Sequence, residues 1–193
     1  MRSALAAGVL LLGACEEPLG PLSPQTVDAI TKTQGDAQGF DRSGSYAVEV
    51  DLLECPCEEA AAVGRPVGAP MVEGLTTFSL CEALRHNPTS TFRLDVLATD
   101  GVVTFVAQEA AWAELIGPLY EGGAFSAGAV TSITSFAAEG RLVTRLDGDF
   151  DRADPGHEFE ATLVNRIACR TTLDTQAIRV DCTEQIDLAG SSN

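Results

Sequence analysis

Cys55 and Cys57 flank Pro56, and Cys81 and His86 follow as a Cys-x₄-His step. Thiolate sulfur and imidazole nitrogen are the donors that a structural Zn²⁺ prefers, so these four residues form a candidate zinc set. Read without a metal, the same cysteines are halves of disulfides. A second cluster is acidic: Asp147, Asp149, Asp151 and Glu158 match positions 1, 3, 5 and 12 of a calcium-loop pattern, which gathers oxygen ligands around one ion. Arg152 stands where that loop needs a glycine for its turn, and Asp154 where an apolar residue is usual. Leu146, Gly148 and Phe150 alternate with the aspartates, which makes the acids the wet face of a strand instead. The chain is therefore expected to hold no metal and no cofactor. His86 and His157 both sit in polar, turn-like segments. No Gly-x-Ser-x-Gly elbow, His-Glu-x-x-His pair or phosphate loop is present. The chain is therefore read as non-enzymatic, with no catalytic residue. A hydrolase, the alternative, would need a nucleophile within reach of one of those histidines.

How the cysteines pair depends on the start of the chain. Arg2 precedes an apolar run over Ala4–Leu12, and small residues Gly13 and Ala14 precede Cys15, the layout of a secretory signal peptide. The run is shorter than the roughly 20 apolar residues that span a bilayer. Leu12-Gly13-Ala14-Cys15 resembles the lipobox of bacterial lipoproteins. The resemblance implies a diacylglyceryl group on the Cys15 thiol, removal of residues 1–14, and a mature chain held to a membrane by lipid. Glu16, where an aspartate would imply inner-membrane retention, makes the outer membrane of the cell envelope the implied address. With Cys15 lipidated, Cys55, Cys57, Cys81, Cys169 and Cys182 remain. An exported compartment permits disulfides, and an odd count leaves one thiol over. A hairpin turn near Asp174–Gln176, centred at 175–176, sets Cys169 opposite Cys182 and predicts a bridge between them. Cys81 is then expected to pair with Cys55 or Cys57. The other is left as a thiol made sluggish by Glu54, Glu58 and Glu59, since negative charge disfavours thiolate.

The elements that carry these residues are strands. Residues 15–40 read as the lipidated cysteine and a flexible tether, with room for a short helix at Thr26–Thr33. Residues 41–193 read as one domain. Tyr46, Val48, Val50 and Leu52 alternate with Glu49 and Asp51, and Phe92, Leu94 and Val96 alternate with Arg93 and Asp95, the period of half-buried strands. Asp100-Gly101 between two apolar runs signals a hairpin. Ala60–Pro70 reads as a loop, and Glu109–Ile116 fits a helix as well as a strand. Leu115, Gly117, Leu119, Phe125 and Ala127 echo Leu146, Gly148, Phe150, Phe159 and Ala161, which suits two neighbouring hairpins of one antiparallel sheet. The sum is an all-β antiparallel meander of about eight or nine strands that closes into a barrel or, as second choice, a β-sandwich. Gly44-Ser45-Tyr46 is similar to the Gly-x-Trp opening of lipocalins and avidins, with Tyr in place of Trp. That resemblance implies a barrel that holds a ligand.

Charge narrows the partners. The formal net charge is −16, from 28 acidic against 12 basic residues. Such a chain repels nucleic acid and anionic lipid surfaces, so lipid rather than charge must hold it at a membrane. The expected role is binding or interaction, with a small apolar ligand inside a barrel or an envelope protein on its rim. A purely structural lipoprotein is the alternative.

Overall fold

The computed structural model describes residues 20–39, 41–57, 79–81, 91–108, 113–134, 138–151, 158–173 and 176–192. The lipobox, His86, His157, the loop at 60–70 and the tip of the last hairpin lie outside these residues.

Eight strands form one closed antiparallel barrel in meander order, each bonded to the next and the last to the first. They are β1 (Gly44–Glu54), β2 (Thr91–Thr99), β3 (Val102–Ala107), β4 (Leu115–Pro118), β5 (Ala124–Thr134), β6 (Ala138–Phe150), β7 (Glu158–Leu173) and β8 (Gln176–Ser192). Closure comes from β1 pairing with β8 from Tyr46–Ser192 to Glu54–Gln185. A closed ladder leaves no edge strand to template aggregation. Alternation decides which side chains enter: Phe92, Leu94, Val96 and Ala98 of β2 are buried, whereas Thr91, Arg93 and Leu97 are exposed. Asp100 (φ 50°) and Gly101 (φ 76°) both adopt the left-handed region, as a tight Asp-Gly hairpin requires. The helix alternative for 109–116 yields at its described end to β4.

The internal echo has a structural basis. Leu119 bridges Phe125 in the β4–β5 hairpin, and Phe150 pairs with Phe159 in the β6–β7 hairpin, so equivalent residues hold equivalent places. The matched glycines admit a neighbouring strand: a Cβ on Gly117 would lie 1.9 Å from the Ser126 carbonyl oxygen, and one on Gly148 would lie 2.3 Å from that of Glu160.

The tether reading is corrected from residue 20 onward, because residues 20–39 pack against the barrel. Ser23 caps helix α1 (Pro24–Thr31), its Oγ accepting from the Thr26 amide at 3.1 Å, and Pro24 presets the first helical φ. Val27 is fully buried on the outer face of β5 and takes the space above Gly128. Downstream, the Gly35 amide donates to the Gly101 carbonyl at 2.8 Å and the Ala37 amide to that of Leu119 at 3.2 Å. Polar composition hid this docking, because its apolar anchors are only Pro24, Val27 and Ala37, and the remaining contacts are backbone and polar side-chain bonds such as Gln34 to the Asp100 carbonyl.

Candidate functional site

The barrel interior is layered. At one end Tyr46, Phe105, Phe125, Phe150 and Phe159 interlock, with ring centroids 5.0–6.4 Å apart. The Tyr46 hydroxyl donates to the Arg42 carbonyl at 2.8 Å. Burial pushes its phenol up to about 12, against the opposing charge of Arg42, while Asp41 acts in the same sense as burial. At the other end a smaller cluster joins Cys57, Ile133, Ile167, Cys169, Val180 and Cys182.

Between these apolar layers lies a polar row. Thr144 of β6 pairs with Asn165 of β7, which pairs with Glu184 of β8, so the three face inward side by side. Glu184 and Asn165 are fully buried. The Glu184 carboxylate accepts from the Ser79 hydroxyl, from the Leu80 amide at 2.9 Å and from the Asn165 side-chain amide at 3.3 Å. The Thr144 hydroxyl donates to Asn165 Oδ1 at 3.0 Å. Sequence reasoning missed this row, although its signal was present. Glu184 falls in phase with Val180, Cys182, Ile186 and Leu188, and Asn165 with Leu163 and Ile167, so strand alternation alone puts both inside.

The cysteines pair otherwise than expected. Cys55 bonds Cys81, one of the two options the sequence left open, at a Cα–Cα distance of 5.9 Å. The Cys169–Cys182 expectation is corrected: Cys182 bonds Cys57, at a Cα–Cα distance of 5.4 Å, and the thiol left over is Cys169. The cause is register. Leu173 pairs with Gln176, which places Cys169 opposite Val180 and Cys182 opposite Ile167. Moving the centre of a hairpin turn by one residue moves every cross-strand partner by two. Cys57 reaches Cys182 because the chain leaves β1 at Glu54, opposite Gln185, and turns into helix at residues 56–57 close to that end of β8. The ladder has already ended at Glu54–Gln185, and the bridge joins the two strands just past it. With Cys55, Cys57 and Cys81 bonded, the zinc set has lost its three sulfurs.

The calcium set is also spread out. Asp147 and Asp149 lie outward on β6, where alternate side chains stand about 7 Å apart, too far along a straight strand to converge on one ion. Among the described residues no group of three or more His, Cys, Asp or Glu converges for a metal. These acids instead join Glu49, Asp51, Glu160 and Asp187 in a groove of about 560 Å³ on the outer face of β1, β8, β7 and β6. Two like-charged pairs are directly opposed, Asp51 with Asp187 and Asp149 with Glu160. Thr162 donates to Asp187 at 2.7 Å, and Ser126 to Asp147 at 2.5 Å. Arg145 pairs with Asp147 at 2.7 Å. Like charges directly across a ladder are destabilising, so the groove keeps its charge against a stability cost.

Comparison with protein-family models, with curated protein sequences and with solved structures gives no match for this chain.

Proposed function

We propose that this chain is a lipid-anchored cell-envelope protein, attached through Cys15 to the outer membrane, whose barrel binds a cationic partner protein without catalysis. The observation that carries the reading is the outer groove with its directly opposed carboxylates. A surface that retains six acids in one concavity attracts a basic segment and rejects acidic ones. The small apolar ligand suggested by the lipocalin-like opening is the weaker reading, because Tyr46 itself sits in the ring cluster that fills one end of the interior.

Two measurements test the two halves. Mass analysis of the chain from its native envelope should find the N-terminal peptide starting at an acylated Cys15, and Cys15→Ser should release the protein from membranes. An unmodified Cys15 within an uncleaved chain defeats the anchor. For the groove, affinity for a lysine-rich peptide is measured for Asp51→Asn/Asp187→Asn against the charge-matched control Asp95→Asn/Glu139→Gln. The groove variant should lose at least about tenfold and show a shallower salt dependence, since one charged hydrogen bond is worth about 1.5–3 kcal/mol. Equal losses in both variants would reduce the effect to net charge.

A further inference from the structure

Glu184 is a fully buried carboxylate whose described hydrogen-bond donors are all neutral. Two of those donors, the Ser79 hydroxyl and the Leu80 amide, come from a segment outside the barrel wall. The wall contributes Glu184, Asn165 and Thr144 from three adjacent strands at one level of an otherwise apolar interior. Closing a barrel does not need such a row. Apolar residues there would pack at least as well, and buried charge carries a desolvation cost of several kcal/mol. The row presents acceptors in the interior, and the Ser79 hydroxyl and the Leu80 amide meet the Glu184 carboxylate.

Residues 79–81 are held by more than these bonds. Cys81 is fully buried and tied to Cys55, which is only partly buried at the end of β1. The second bridge, Cys57–Cys182, is buried at both ends, 1 % and 8 % exposed. The bridge that tethers residues 79–81 is therefore the more accessible of the two. The tether gives Ser79 and Leu80 a high effective concentration at the carboxylate, which a free ligand must exceed.

The geometry points to residues 79–81 as a strap over an interior binding site for a protonated primary amine, freed when Cys55–Cys81 is reduced. An ammonium group offers three donors and a positive charge to Glu184, in place of the two donors that Ser79 and Leu80 supply. The opening step is thiol–disulfide exchange with an external dithiol. The dithiol loses two hydrogens and ends as a disulfide, while Cys55 and Cys81 each gain one and end as thiols. This inference is independent of the outer groove and of the lipid anchor.

The test uses the full chain with n-butylammonium as probe, followed by NMR of the Asn165 side-chain amide and the Leu80 backbone amide. Graded dithiol treatment with peptide mapping should open Cys55–Cys81 before Cys57–Cys182. The oxidised protein should not bind. Cys55→Ser/Cys81→Ser should lose protection at the Leu80 amide and bind saturably, and adding Glu184→Gln should weaken that binding by about 10- to 100-fold. Should the double cysteine variant fail to fold, Ser79→Ala in the oxidised protein loosens the strap with both bridges in place, and it should bind detectably. Equal binding by the oxidised wild type, binding that survives Glu184→Gln, or no binding in either loosened variant would overturn the proposal.

Discussion

Three residues carry energetics that a visual count of contacts would miss. Replacing Glu184 by Leu removes the acceptor of the Ser79 hydroxyl and the Leu80 amide, and a buried donor left unmet costs about 1–3 kcal/mol. An unfolding free energy lower by that amount in urea titration is expected, and an unchanged one would mean that water replaces the carboxylate. Tyr46 sets an alkaline limit. Its phenol is raised in the folded state, so its contribution is complete below the ordinary value of about 10 and is lost as pH rises through about 12. Tyr46→Phe should flatten that alkaline decline while losing about 1 kcal/mol at neutral pH with the bond to the Arg42 carbonyl. Burial also pushes the Cys169 thiol up, which makes thiolate scarce. Native protein should therefore resist iodoacetamide at Cys169, and denaturation without reductant should expose that one site. Mapping should find Cys55 with Cys81 and Cys57 with Cys182.

At the scale of elements, α1 and β5 make a sharp test of what residues 20–39 do. A Cβ on Gly128 would lie 2.6 Å from Val27 Cγ1. Gly128→Ala should lift the helix and cost about 1–3 kcal/mol, as overpacking does, with faster amide exchange confined first to residues 24–31. A free tether would show neither effect. The same contrast explains what was legible beforehand. Period-two alternation at Tyr46–Leu52 and Phe92–Val96 and the Asp100-Gly101 turn revealed strands and their order, since a half-buried ladder writes its burial into side-chain type. The echo between Leu115–Ala127 and Leu146–Ala161 revealed two equivalent hairpins for the same reason. The Cys57–Cys182 bridge was not legible, because Cys57 lies past the last β1–β8 pair, and the Cys169–Cys182 expectation failed because a one-residue error in the centre of the β7–β8 hairpin shifts every partner by two. Docking of α1 rests on Val27 and a glycine, a signal too small to separate from composition. Glu184 was readable from its phase in β8, but phase announces burial without naming the partners at 79–81.

The whole molecule carries its charge unevenly. Asp51–Asp187 and Asp149–Glu160 oppose like charges across the ladder, and relief of one such pair is worth about 0.2–1 kcal/mol. Asp187→Asn should therefore stabilise the barrel in dilute buffer, less the bond from Thr162, and the gain should shrink as salt screens the repulsion. A variant less stable than wild type at low salt would show that the Thr162 bond outweighs the repulsion.

The bridge between Cys57 and Cys182 has a topological consequence. It joins the end of the first strand to the last strand across 125 residues of sequence. Together with the backbone it makes the barrel a covalent ring. A single proteolytic cut in any connection from β2 to β8 would leave one connected molecule, with every strand still flanked by its neighbours. Such a nicked chain should run as one species until reductant is added and as two fragments afterwards. Such damage would thus be survivable, provided that it falls inside the ring.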